Sequence, residues 1–352
     1  MIWLTWRQFR AQAVTAAAAL AAFAILLAAT SPRLASLYAA SGLSGCHPAR
    51  CADLASSWLT QLNIGHTYFM LYAFTIAVIL LAPAVTGLFW GAPLIAGELE
   101  SGTAALAWNQ SVTRTRWLAA KLAVGGMAAI AVTEGLSLMQ AWWAAPIGRA
   151  VGLGATGTFF AMSRFNALAF ASHGITPLGY AAFGYALGVT AGALTRRAVP
   201  AMAVTLAIFA AAQIAMPLWI RPNLLPAEHA VVSVTSLRTI TLQGGGGPHS
   251  SQFHLGTENL PGQPGAWILS AGTVNAAGQA TASAPAPCTT RQSEESTHAF
   301  IECLASQGIR ESVAYQPASR YWAFQWTETA IYLAVALALS GYCFWRLSRR
   351  LT

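Results

Sequence analysis

Between His66 and Glu98 the chain reads TYFMLYAFTIAVILLAPAVTGLFWGAPLIAG (67–97), without one charged side chain. A bilayer's hydrocarbon core, about 30 Å thick, is crossed by roughly 20 apolar residues in a helix. The stretch is therefore long enough to span with tilt. It is expected to be helical because lipid offers its backbone no hydrogen-bond partners. Pro83 and Pro93 are the expected kinks or ends.

Scanning outward for gaps between consecutive charges gives five more candidates. The first runs from Ala13 to Thr30, between Arg10 and Arg33. Lys121 and Arg149 bound the third, interrupted only by Glu134; His173 and Arg196 bound the fourth, and Arg197 and Arg221 the fifth. The sixth, Ala330 to Trp345, is short between Glu328 and Arg346 but extends through Tyr321, Trp322, Phe324 and Trp326 as an interfacial aromatic belt. The first candidate exceeds the roughly 7 to 15 apolar residues of a signal-peptide core and is read as a span. Ahead of it, Ile2, Trp3, Trp6, Phe9 and Ala13 share one helical face, which predicts an interfacial helix before the chain turns into the bilayer.

Composition agrees with this reading. Of 352 residues, 56% are hydrophobic and 9% charged, against roughly 25% charged in a soluble domain. A soluble enzyme, a disordered chain and a collagen-like fibre are disfavoured. The net charge is +8, yet Lys121 is the sole lysine and no basic run exceeds two residues, so nucleic acid is not an expected partner. With a cytoplasmic N-terminus, the inner segments carry Arg7 and Arg10, then Arg114, Arg116 and Lys121, then Arg196 and Arg197, and last Arg346, Arg349 and Arg350. That is the positive-inside pattern, and it predicts a multi-pass protein with both termini in the cytoplasm.

Cysteine placement fits this orientation. Cys46 and Cys51 fall in the first outer loop and Cys288 and Cys303 in the last, where disulfides persist. Two bridges are expected, local pairs being the simplest of three pairings. A metal site from Cys46, His47 and Cys51 lacks a second ligand pair, so no metal centre is expected. Between Arg221 and Arg320 the composition turns to Gly, Ser, Thr, Pro and Gln. The expected organisation is residues 1–220 as interfacial helix and spans one to five, 221–320 as an extracellular β-rich domain, and 321–352 as span six and a cytoplasmic tail. Strands are expected at Val231 to Val234 and Trp267 to Ser270, turns at Gly272, Ala277 and Gly278, and a flexible connector at Gly244 to Gly247. The fold class is mainly α, polytopic, with six transmembrane helices.

No Walker A motif, nucleophile elbow, zinc-protease or kinase signature occurs in the chain, so catalytic residues are not expected. Glu134 is the one acid inside a predicted span. Such a charge costs at least about 2.5–3.5 kcal/mol at mid-bilayer and normally turns inward. Glu134 and Gln140 are thus candidate residues of a translocation path; the alternative is a neutral Glu134 bonded to Thr133 or a neighbouring helix. Trp142 and Trp143 are expected to anchor the outer end of the third span, and His173 to mark the start of the fourth. Gly179, Gly184, Gly188 and Gly192 recur along the fourth span and predict close helix packing, within the subunit or against a second one.

The segment after the second span reads ELESGT (98–103), followed by SVTRTRW (111–117). It resembles the E-x-E-x-G-T plus S-x-x-R pattern of permease subunits of ATP-binding cassette (ABC) transporters of the ABC-2 type. MIWLTWRQFR (1–10), WWAAPI (142–147), RRAVPAMAVT (196–205) and YQPASRYWAFQW (315–326) resemble a group of these permeases common in high-GC Gram-positive bacteria. Where that family often has proline before the arginine, this chain has Val112 and Thr113.

The resemblance implies an exporter permease in the bacterial cell membrane, working with a separate ABC ATPase in two copies and a second permease subunit, identical or not. ATP and Mg would be held by the ATPase, and no cofactor by this chain. Glu98, Glu100, Gly102, Thr103, Arg114 and Arg116 would form the coupling segment that docks on the ATPase; a solvated loop with weak local ion pairs is the plainer reading. An amphiphilic drug, antibiotic, lipid or peptide would be the substrate. A membrane-anchored sensor using its extracellular domain, and an ion-coupled carrier, are the alternatives.

Overall fold

The computed structural model describes residues 2–100, 114–155, 158–236, 240–242, 255–257, 260, 263, 265–281, 288 and 297–349. Gly102, Thr103, Gly244 to Gly247 and Arg350 lie outside them, as do the side chains of Glu98 and Arg114. The chain divides into two compact units, residues 1–162, 166–221 and 323–352, and residues 163–165 and 222–322.

The first unit is helical. α1 (Ile2–Ala40) is one continuous helix whose membrane-capable segment begins at Arg10; the side chains of Ile2, Trp3, Trp6 and Phe9, which carry the interfacial reading, lie outside the described residues. After α2 (Pro48–Ile64) come α3 (Thr67–Thr86) and α4 (Ala92–Glu100), joined by a π turn at Gly87–Gly91. Pro93 explains the wide turn: it lacks an N–H, and its ring crowds the carbonyl four residues back. Pro83 is accommodated inside α3. Next are α5 (Arg114–Trp143), α6 (Ala145–Gly152), α7 (Ala167–Ser172), α8 (Thr176–Thr195) and α9 (Ala198–Ala215). A second π turn at Met216–Ile220 contains Pro217. The last helix, α11 (Tyr321–Arg349), follows the second unit. Among the described residues, six segments are long and apolar enough to cross a membrane: Arg10–Ala40, Thr67–Gly97, Thr115–Trp143, Thr176–Thr195, Ala198–Asn223 and Ala318–Arg346.

α8 is the axis of this bundle. It begins with Pro177 in its first turn and ends at Arg196, whose φ is 57° and whose N–H reaches the Gly192 carbonyl. Most of its residues are buried, whereas α1 and α9 expose most of theirs. Its glycines make the packing possible. A Cβ on Gly184 would lie 2.6 Å from the Pro83 oxygen, on Gly188 2.2 Å from the Gly87 oxygen, and on Gly192 2.4 Å from the Ala92 oxygen. Gly184, Gly188 and Gly192 therefore serve contacts inside this subunit, backbone against backbone with α3, the π turn and α4. Gly179 faces α11 instead, where its Cβ would meet Thr329 and Tyr332.

The second unit carries a three-stranded antiparallel sheet, in order β1 (Glu228–Ser233), β5 (Arg310–Gln316), β4 (Trp267–Val274), and a small pair, β2 (Ile240–Leu242) with β3 (Leu255–Thr257). Glu228 and Ile268 both oppose Tyr315. Inward Ala230 and Val232 pack with Leu260, Ala266, Val313 and Tyr315. A helix that sequence reading did not anticipate, α10 (Thr297–Ser306), sets Leu304 against Val234, Cys288 and Ile309. Gly272, expected in a turn, lies inside β4 opposite Ser312; the reversal falls at Asn275 to Gln279, with Gly278 at φ 78°. Cys46 pairs with Cys51 (Cα–Cα 5.4 Å) and Cys288 with Cys303 (Cα–Cα 5.6 Å), both local. The first bridge consumes the thiols a Cys46–His47–Cys51 metal site would need.

Candidate functional site

Among the described residues, the bundle offers one exposed polar contact between helices and two buried groups of polar side chains as candidate sites. The first is the end of α4. Glu100 places Oε2 3.3 Å from the Ala198 amide, accepting its hydrogen bond at the N-terminus of α9. A carboxylate there satisfies an otherwise open N–H and sits at the positive end of the helix dipole. Ala92, Ala191 and Ala201 pack α4, α8 and α9 together behind it. The end of the ELE segment is thus tied to two spans. Arg116, on the first turn of α5, is exposed.

Lys121, read as a span boundary, is instead inside α5 and buried, its ammonium 4.5 Å from the centre of the Trp117 ring. The lysine's stem and the indole face shield its charge, so the apolar helix begins earlier, at Thr115. Its backbone carbonyl accepts the Tyr185 hydroxyl at 2.9 Å. Gly125 leaves the space for that ring, since a Cβ there would overlap the Tyr185 oxygen.

The second place is the buried face of α5. Thr133, Ser137 and Gln140 follow helical spacing and are all nearly inaccessible, with Glu134 beside them and partly buried. Ser137 donates to the Ser172 carbonyl at 2.9 Å. Gln140 faces Tyr72 of α3, but neither its amide oxygen nor its nitrogen completes a well-aligned hydrogen bond among the described residues. The Thr133 hydroxyl and Glu134 Oε2 also lack partners among them, so the Thr133–Glu134 bond considered from sequence is not formed. Buried polar atoms in this state are normally met by water or a ligand. Thr133, Ser137 and Gln140 thus form a polar strip on one face of α5, while Glu134, about 9 Å from Gln140 along the axis, points about 120° away from it around the helix.

The third place was missed. Arg221 and Glu328 served only as limits of apolar stretches, and the fold buries both, at 1% and 0% exposure. Arg221 Nε donates to Glu328 Oε2 at 2.8 Å and Nη2 to Oε1 at 3.1 Å, a two-pronged pair between the end of the fifth span and the second turn of α11. Tyr180 of α8 donates its hydroxyl to Glu328 Oε1. The Phe170 ring of α7 lies 4.0 Å below the guanidinium carbon. Arg221 Nη1 has no hydrogen-bond partner among the described residues. One turn earlier on α11, Gln325 accepts from the Ile175 and Thr176 amides at 3.0 and 3.1 Å and donates to the Phe170 and His173 carbonyls at 3.2 and 3.1 Å. A charge at each edge of an apolar run, 107 positions apart, was the one signal for the pair.

Two boundary readings change with these contacts. Trp143 is fully buried and donates from its indole nitrogen to the Thr30 hydroxyl at 2.9 Å, so Trp142 alone of the two is exposed. The cause is helix phase: adjacent residues point 100° apart, and α1 covers one of them. His173 has partners, with Nδ1 2.8 Å from the Ala169 carbonyl and 2.9 Å from Ser172 Oγ.

No curated protein and no solved structure matches the chain. Residues 17–221 match the model of one family, described as ABC-2 membrane transporter related, and they take in all of α2 to α9 and Arg221. Six membrane-capable segments around a glycine-packed axis, the motif order of the sequence, and a family match over more than half of the chain lead to one statement: the protein belongs to the ABC-2 membrane transporter related family.

Proposed function

We propose that this chain is the permease subunit of an ABC exporter in the bacterial cell membrane, with cytoplasmic termini, two ATPase subunits below and a second permease subunit beside it. The family match carries the reading, because a member is a membrane transport component rather than a catalyst. Residues 98–116 are the coupling segment. Its support is the Glu100 contact with the start of α9, which gives a push on this segment a direct route into the fourth and fifth spans. ATP and Mg belong to the partner, and this chain makes or breaks no bond.

In the proposed cycle, nucleotide binding draws the ATPases together and the coupling segment tilts α4 and α9 around α8. An amphiphilic substrate then passes Glu134 and Gln140 of α5 and leaves on the outer side, where the Cys46–Cys51 bridge of the first unit and the Cys288–Cys303 bridge of the second are expected to lie. The test is co-purification of the full chain with the products of neighbouring genes. A soluble ATPase should be retained and should be released by Glu98→Lys. Glu100→Lys should release it too, while also loosening the start of α9. Failure of the chain to hold any ATPase would overturn the reading in favour of a sensor or gradient-driven carrier. Glu134→Gln should lower transport without preventing assembly, and unchanged transport would remove it from the path.

A further inference from the structure

The Arg221–Glu328 pair is more than packing requires. Two opposite charges removed from water recover little net stability, and apolar residues of similar size often hold a core equally well. Here the pair is also incompletely satisfied, since Nη1 has no acceptor among the described residues. A guanidinium with a spare donor can change partners.

Its surroundings are asymmetric. On one side α11 is fixed to the α7–α8 turn by the four hydrogen bonds of Gln325, so α11 and α8 are bound to move together. On the other side Arg221 follows a π turn, its own N–H bonded to the Met216 carbonyl five residues back. Such turns interrupt the α-helical ladder and are common at functional sites. Elsewhere α9 meets α8 through the Phe183 and Phe209 rings at 6.0 Å and meets α11 through the Tyr332 hydroxyl, which lies 3.4 Å from both the Ala212 carbonyl and Gln213 Oε1, longer than the 2.8 and 3.1 Å bonds of the Arg221–Glu328 pair.

We propose that Arg221, Glu328 and Tyr180 form a charge latch that holds the end of the fifth span to α8 and α11 and keeps this end of the bundle closed between transport steps. The inference rests on the permease reading for its purpose but not for its test. Release swings the end of the fifth span at the π turn, frees Glu328 with Tyr180 still bonded to it, and gives the guanidinium to water or to a passing anionic group. The positioning roles are distinct: Tyr180 keeps the carboxylate aimed, and Phe170 supports the guanidinium in the closed state.

The experiment uses the full chain in membrane vesicles, with Cys343, the one unpaired cysteine among the described residues, replaced by alanine. Thr329→Cys places a thiol beside Glu328 at a position only 3% exposed. Ala150→Cys, in a separate buried cluster, reports general loosening. A membrane-impermeant maleimide should label Thr329→Cys slowly. Adding Glu328→Gln should raise that rate by about tenfold or more and leave Ala150→Cys unchanged. Tyr180→Phe, which removes one hydrogen bond, should raise it by about threefold. An unchanged rate at Thr329→Cys in a folded variant, or an equal rise at both reporters, overturns the latch. Should Glu328→Gln fail to fold, Tyr180→Phe alone decides by the same criterion. Vesicles of both orientations separate the two readings: labelling from the inner face alone refutes the proposed topology, while the ratio between variants still judges the latch.

Discussion

Replacing Gly188 with alanine should destabilise the bundle even though alanine is the better helix former. The added Cβ would lie 2.2 Å from the Gly87 oxygen, 2.9 Å from the Ala92 nitrogen and 3.0 Å from the Gly87 carbonyl carbon. All three are backbone atoms, so no rotamer change relieves the clash. α8 has to retreat by about 1 Å to restore ordinary contact distances. Overpacking of this kind costs about 1–3 kcal/mol. The upper part of the range applies because the Gly87 oxygen is also the acceptor for Ala92 N–H in the π turn. The gain in helix propensity over glycine, about 1 kcal/mol, offsets only part of the cost. Gly341, in the middle of α11, is the control: nothing lies within 4 Å of its Cβ position. Gly341→Ala should therefore be neutral or stabilising by up to about 1 kcal/mol. Heating the detergent-purified variants and measuring the surviving monodisperse fraction gives the order directly. Gly188→Ala surviving to the same temperature as Gly341→Ala would refute the close-packed axis.

Gln325→Leu removes both acceptor and donor at once and leaves the Ile175 and Thr176 amides uncapped, so a loss of about 1–3 kcal/mol is expected in the same heating assay; a variant as stable as wild type would mean that water replaces the side chain. The two disulfides should differ in worth. Chain-entropy arguments give about 3 kcal/mol for Cys288–Cys303, which spans 15 positions, and about 2 kcal/mol for Cys46–Cys51, which spans 5. Serine replacement of each pair should reproduce that order, and the reverse order would show that native-state strain dominates. In the second unit, burial first and then the Glu228 carboxylate push the Tyr315 phenol above its ordinary 10.0. The folded chain thus keeps this proton to higher pH than the unfolded one. Its contribution is complete below the ordinary value and declines as pH rises through the raised one. Tyr315→Phe should flatten the alkaline fall in stability, and an unaltered slope would assign that fall to other groups.

Apolar runs between charges located each of the six membrane-capable helices found among the described residues, because lipid selects length and hydropathy and little else. The same scan failed wherever a charge is buried. It placed Lys121 at a boundary because sequence does not show the Trp117 ring beneath it. It separated Arg221 from Glu328 because the two stand 107 positions apart and belong to different apolar runs, so that nothing local pairs them. Glycine spacing did announce the α8 packing, yet not its partner, which is backbone and carries no side-chain signature. In the second unit, Val231 and Trp267 marked two strands through their β-branched and aromatic character. α10 escaped because Thr297–Ser306 is short and its apolar face is legible only once Cys288 and Cys303 are joined. Of the candidate polar residues, Gln140 was recognisable as an amide amid apolar neighbours. Thr133 and Ser137 were not, since threonine and serine are ordinary in spans whenever they bond their own helix.

The wide turn at Gly87–Gly91 fixes the angular phase of everything that follows it. Each α-helical residue advances the chain by about 100°. Excising any one residue from this turn would let it close as regular helix, and Ala92 and Ala96, whose backbones now meet Gly192, would rotate away by that angle. The glycine comb of α8 and the extra residue of the turn are thus two halves of one inheritance. A homologue with a single-residue gap here should also have lost glycine at the positions of Gly188 and Gly192, and a sequence alignment that closes the gap silently would misassign every residue of the ELE segment.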